Sequence, residues 1–242
     1  MIMEKLEKLQ ILILGLLISI SIILAVSIGT SVFAKKSISV TGSAYEIIKS
    51  DSGSVQANLK VIAKTKAQAY TNAKNQLPKI YEYLNSNGID KKNIDIKSAD
   101  GYYTYKMLPN GNSSNEFDYY NYTQRIIIKS DDVNTIQKIS LDITTLMDKG
   151  IDIEVLSTSY SYSKLSELKV KLLKEATLDA KQRATGMLQA TNNRVGKIES
   201  VKMGVFQITP TESTDVSDMG INDTSTIDKK ITAVANVVFS IK

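Results

Sequence analysis

The pattern of apolar and polar positions changes several times along the chain. Leu9–Ala34 is apolar on every face and contains no charged residue. A helix rises about 1.5 Å per residue, so this run can cross a hydrocarbon core about 30 Å thick. After it the pattern becomes that of a water-soluble body. Ser37–Gly42 opens with alternation and reaches a bend or bulge at Gly42. Val55, Ala57, Leu59 and Val61 alternate, which predicts a strand over Ser54–Ile62 with one buried face. The period then lengthens. Ala69, Ala73, Leu77, Ile80 and Leu84 predict an amphipathic helix from Lys66 to Asn87, stopped at Asn87-Gly88. Pro78 lies inside it, so a kink or a helix in two pieces is expected there.

Strand character returns over Asn93–Met107 and Phe117–Lys129. The polar turn Leu108–Asn115 makes these the arms of a long hairpin. Asp131 or Asp132 then caps a helix whose apolar face is Val133, Ile136, Ile139, Ile143 and Leu146, ending at Gly150. Ile151–Tyr162 alternates as a strand. A long helix over Lys164–Ala190 presents Leu165, Leu168, Leu172, Ala176, Ala180, Ala184 and Met187, its alanines implying close approach to a sheet. Val195–Ile208 is a strand weakened by Gly196 and Gly204, and Ile231–Ile241 has the cleanest period of two in the chain. Strand–helix–strand–strand thus occurs twice, joined by the Asp131–Lys149 helix. The expected fold is α+β: an N-terminal transmembrane helix, then two β-α-β-β-like units with helices packed on mixed or antiparallel sheets. The domains are residues 1–34 and 35–242, with lobes at about 54–129 and 151–242.

The N-terminal run has two readings. Its length suits an uncleaved signal anchor; Val32-Phe33-Ala34 would also serve as a cleavage site, releasing the body as a secreted protein. A buried core helix fits poorly, because a helix apolar all round needs a large protein around it. Lys5 and Lys8 nearly balance Lys35 and Lys36 across the run, but so short a leader keeps the N-terminus inside. The expected location is the cell membrane, single-pass, with an extracytoplasmic body.

Composition narrows the chemistry. The chain has no Cys and no His. Disulfides, thiol nucleophiles, Ser-His-Asp triads and the usual zinc and haem ligand sets are therefore excluded. Lys and Arg total 30 against 25 Asp and Glu, a net charge of +5 that belongs wholly to residues 35–242. The basic residues are scattered rather than striped, so no nucleic-acid partner is expected. No Gly-rich phosphate loop occurs. The expectation is a non-enzyme with no catalytic residue, metal or cofactor. Pro210–Asp228 carries five carboxylates and no basic residue, and reads as a disordered, solvated hairpin tip. Calcium would accept carboxylate oxygens, but the spacing matches no calcium loop.

One local concentration remains. Tyr103 and Tyr105 share a face of one hairpin arm, and Tyr120 and Tyr122 share a face of the other. They form a candidate interaction surface, for a subunit contact or a sugar-stacking platform. Plain cross-strand pairing that steadies the hairpin is the alternative.

Ile38-Ser39-Val40-Thr41-Gly42, the turn Asn87–Ile94, and the Ala176–Ala184 helix followed by Val195-Gly196-Lys197-Ile198 together resemble the SIMPL-domain family of bacterial extracytoplasmic proteins, which includes periplasmic immunogenic proteins. The resemblance runs over residues 37–242 and rests on order and spacing. It implies a secreted or membrane-attached α+β domain, sometimes oligomeric, without established catalytic residues. The expected partners are the membrane through Leu9–Ala34, further copies of the chain, and an envelope protein or wall polymer. The expected function is self-assembly or partner interaction at the cell envelope, in a stress-related role. The alternative is a monomeric module that binds a wall polymer or other anionic ligand.

Overall fold

The computed structural model describes residues 13–26 and 36–242. The expected span Leu9–Ala34 lies partly outside them. Its described part, residues 13–26, is a helix (α1) with every residue exposed. The hydroxyls of Ser19 and Ser21 donate to the Gly15 and Leu17 carbonyls at 2.8 and 2.6 Å. Among the described residues, no helix is long and apolar enough to cross a membrane.

The architecture is α+β. One sheet is antiparallel, in the order β3 (Ile94–Met107), β4 (Ser113–Ser130), β2 (Ser52–Ala63), β5 (Asp152–Ser161). The other is mixed. It runs β1 (Ser37–Lys49), β9 (Asp228–Ile241), β7 (Gln207–Pro210), β8 (Ile221–Asn222), with β6 (Val195–Met203) also paired to β9. The helices of the body are α2 (Lys66–Ser86), α3 (Val133–Asp142) and α4 (Leu165–Gln189).

The chain divides into two compact units. The larger comprises Tyr45–Leu172 and Val205–Thr232. Its core lies between the antiparallel sheet and the helices α2 and α3. Val55, Ala57 and Leu59 of β2 are fully buried, as are Ile126 and Ile128 of β4. The register sets Val55 opposite Ile128 and Ala57 opposite Ile126, so both strands turn one apolar face inward. From α2 come Ala69, Ala73, Ile80 and Leu84, and from α3 Val133, Ile136 and Ile139. Thr65 caps α2 by accepting from the Gln68 amide at 3.2 Å, and Asp132 caps α3 through the Asn134 amide at 3.0 Å. Beyond α3 the chain tightens into a 3₁₀ turn, Ile143–Lys149, closed by Gly150 at φ 75°.

Helix α2 is continuous through Pro78, not split in two as the sequence allowed. Pro78 lies on the exposed side of the helix, so the Lys74 carbonyl it leaves without a partner can bond water.

The smaller unit gathers the described residues through Ala44, with Leu173–Gly204 and Ala233–Lys242. Here α4 buries Ala176, Ala180 and Ala184, and β9 buries Ala233, Ala235, Val237 and Phe239. Met187, expected on the buried face, is 57% exposed, and Leu188 takes that place at 5%. Strict spacing by four, from 176 to 188, is the face this helix hides. Gly42 is no bend either: β1 continues unbroken to Lys49. The strand predicted over Val195–Ile208 is two, β6 and β7, interrupted at Gly204, whose amide donates to the Val234 carbonyl at 2.8 Å.

The acidic loop is folded into the larger unit rather than disordered. Its β8 pairs in parallel with β7, Gln207 opposite Ile221. The Gln207 side chain donates to the Ser217 carbonyl at 2.7 Å. Asp223 accepts from the Ser225 amide and hydroxyl at 2.9 and 2.7 Å and from the Thr226 hydroxyl. It also pairs at 3.3 Å with Lys229, which is only 3% exposed. A loop that satisfies its own polar groups this fully has little reason to stay unfolded.

Candidate functional site

The β3–β4 hairpin is long because both arms carry β-branched and aromatic residues, which suit a pleated surface. It turns over residues 108–112, where the Leu108 amide donates to the Asn112 carbonyl at 2.8 Å and Gly111 takes φ 82°. The register sets Tyr103 directly opposite Tyr120. Successive strand residues alternate faces, so Tyr103, Tyr105, Tyr120 and Tyr122 all lie on the face that carries Ile126 and Ile128 into the core. The row of tyrosines thus continues the core face outward along the hairpin.

Burial falls along this row. Tyr120 is 6% exposed, Tyr103 39% and Tyr105 41%. The Tyr103 and Tyr120 ring centroids are 4.8 Å apart, edge to face. An irregularity between Thr104 and Tyr105 pairs Tyr105 with Phe117. Phe117 therefore joins the same face, 4.5 Å from the Tyr103 ring and 5.0 Å from the Tyr105 ring. No periodicity rule would have found Phe117, because the bulge resets the alternation. Tyr122 takes no part in these ring pairs. Its hydroxyl donates to Gln124 Oε1 at 2.8 Å, and the buried Gln124 amide in turn donates to the Lys97 carbonyl. Burial first, then the neighbouring Tyr70 and Tyr120 phenols, push the Tyr122 hydroxyl pKa up.

Between the hairpin and the first turn of α2 lies an open groove of about 660 Å³, lined by Lys66, Tyr70, Asp100, Gly101, Tyr120 and Tyr122 among others. The sequence reading missed Tyr70, Lys66 and Asp100 in this place. Lys66 and Tyr70 come from α2 and Asp100 from β3, and only the packing of α2 on the sheet brings the two helix residues to Tyr120. Gly101 is required here. A Cβ at this position would overlap the Tyr120 hydroxyl and stand 2.5 Å from the Asn121 carbonyl oxygen. Among the described residues, no group of three or more acidic side chains gathers in a way that could hold a metal ion.

The family model described as SIMPL, a protein of unknown function (DUF541), matches residues 38–239. None of the curated proteins compared with the chain matches it.

Proposed function

The chain belongs to the SIMPL family, and from that premise we propose that it is a non-catalytic, extracytoplasmic protein held at the cell membrane through Leu9–Ala34. It acts there by self-assembly or by docking a partner, in a role tied to envelope stress. The observation that carries this reading is the aromatic row Tyr103, Tyr105 and Phe117, a continuation of the core face with its rings part-exposed. Tyrosine and phenylalanine are favoured in protein interfaces, where they bury area at low entropic cost. The anchoring is supported by the uncharged run itself and by the Ser19 and Ser21 hydroxyls, which bond within α1 and need no water.

The test is the mass of the full chain in detergent, measured by light scattering across protein concentration. A discrete oligomer that dissociates in the double variant Tyr103→Ala, Tyr105→Ala supports assembly through the hairpin. A strict monomer overturns it. The groove beside Tyr70 favours the second reading, a monomeric module for a wall polymer or other anionic ligand.

A further inference from the structure

We propose that the outer edge of β3 pairs with the same edge of a second copy of this chain, antiparallel and centred on Tyr103. This rests on the assembly reading and names its partner and register. β3 ends the order of its sheet, so among the described residues no strand pairs with its outer side. Such an edge presents unpaired amides and carbonyls, and proteins ordinarily blunt it with bulges and charges. Here the blunting is confined to one half. From Ile96 to Ala99 the chain takes three steps while β4 takes two, from Ile126 to Gln124, so β3 bulges at Lys97-Ser98. Asp95 and Lys97 add charge to that half. Gly101–Tyr105 has neither device. It is uncharged, and the later irregularities of the hairpin place their extra residues on β4.

The free stretch has a midpoint. The bulge at Lys97-Ser98 bounds it on one side and the turn at Leu108 on the other. Residues 99–107 lie between, all exposed except the half-buried Thr104, and Tyr103 is their centre. A two-fold antiparallel pairing that uses the whole stretch therefore sets Tyr103 opposite Tyr103 of the second copy.

That register is self-complementary on both faces. On the face of Tyr102, Asp100 meets Lys106 of the second copy, and the symmetry repeats the pair. Asp100 has no ion-pair partner among the described residues. Lys106 meets Glu116 across its own hairpin at 2.8 Å, and an ammonium has donors left for a second carboxylate. Tyr102 faces Thr104, a favoured aromatic and β-branched pair. On the other face, Tyr105 of the second copy stands beside Gly101, which has no side chain to obstruct the ring. The groove at Gly101, lined by Tyr70, Tyr120 and Tyr122, is then covered by the second copy. Moving the axis to Tyr102 or to Thr104 sets Asp100 opposite Thr104 or Leu108 and loses both ion pairs.

The chain has no Cys, so single-cysteine variants report proximity without background. The full chain in detergent is oxidised mildly as Tyr103→Cys and as Tyr102→Cys, and non-reducing electrophoresis scores the dimer. In this register the two residues 103 face one another at a spacing a disulfide spans. The two residues 102 are offset along the strands and lie beyond the limit of about 7 Å. Cross-linking at least about tenfold faster at 103 is expected. Independently, Asp100→Lys, at an exposed position, turns both ion pairs into repulsions. The dissociation constant, read by light scattering across concentration, should rise about tenfold. This variant decides the matter if circular dichroism shows that Tyr103→Cys does not fold. Equal or absent cross-linking at the two positions, or an unchanged dissociation constant in Asp100→Lys, overturns the edge pairing, while the oligomer itself keeps the assembly reading standing. A strict monomer at every concentration overturns both.

Discussion

Gly42 of β1 lies so close to Ala180 of α4 that a Cβ built on the glycine would stand 2.8 Å from the Ala180 Cα and overlap the Ala176 carbonyl oxygen. Strand and helix meet backbone to backbone. The obstructing atoms are main chain, so no side-chain rotation relieves them. The Asp179 carboxylate tightens the same contact by accepting from the Ser43 amide at 2.8 Å. Gly42→Ala should therefore destabilise the protein by about 3 kcal/mol, the upper range for overpacking. The denaturant midpoint would report it, and a change within about 0.5 kcal/mol would mean the helix can slide away at little cost.

Pro78 gives the opposite sign. It sits exposed in the middle of α2, where it cannot donate to the Lys74 carbonyl. Pro78→Ala restores that bond and a far better helix former, against some gain in unfolded-chain freedom. The expected net is a stabilisation of about 2 kcal/mol, read as a higher urea midpoint at unchanged slope.

The buried pair Asp223–Lys229 should impose a pH dependence. Burial alone would raise the Asp223 carboxyl. The hydrogen bonds from Thr226 and Ser225, and then the Lys229 ammonium, outweigh it and hold the carboxyl far below its ordinary range. A carboxyl depressed in the folded state binds fewer protons there than in the unfolded chain. Its contribution is full above the unfolded value of about 3.9 and is lost as pH falls from there through the folded value. Asp223→Asn leaves Lys229 buried without its counter-charge and should cost about 3 kcal/mol at neutral pH. The gap between variant and parent should narrow as pH drops below about 4. A gap that stays constant between neutral pH and about pH 3 would show that the pair is electrostatically idle.

Tyr103 touches both Phe117 and Tyr120, so Tyr103→Ala removes two ring contacts. A stability loss of about 1–2 kcal/mol is expected, with the β-sheet signal retained in circular dichroism. Tyr102→Ala, on the other face and in no ring pair among the described residues, should change stability by less than about 0.5 kcal/mol. Equal losses at the two positions would argue that the rings only cover surface.

Much of this protein was legible along one dimension. Periodicity located α2, α4 and the strands β2, β3 and β9 to within a few residues, because an amphipathic element writes its buried face into the spacing of its own side chains. The pair Asp131-Asp132, Gly88 and Gly150 announced helix ends, since capping is a local matter, and the structure chose Asp132 as the cap. The motifs at Ile38–Gly42, Asn87–Ile94 and Ala176–Ile198 pointed to the family. The four hairpin tyrosines could be assigned to strand faces from alternation. What tertiary structure decided is everything that depends on a distant neighbour. Gly42 reads as a bend until α4 is laid against it. The acidic run Pro210–Asp228 reads as solvated until Lys229 and the turn hydroxyls close around Asp223. Met187 reads as core until the helix is rotated onto its alanines. Phe117 joins Tyr103 only through a bulge, and Tyr70 reaches the hairpin only because α2 packs where it does. Spacing along a chain encodes which face of an element is apolar; it does not encode what that face meets, because the contact energy belongs to pairs of segments far apart in sequence.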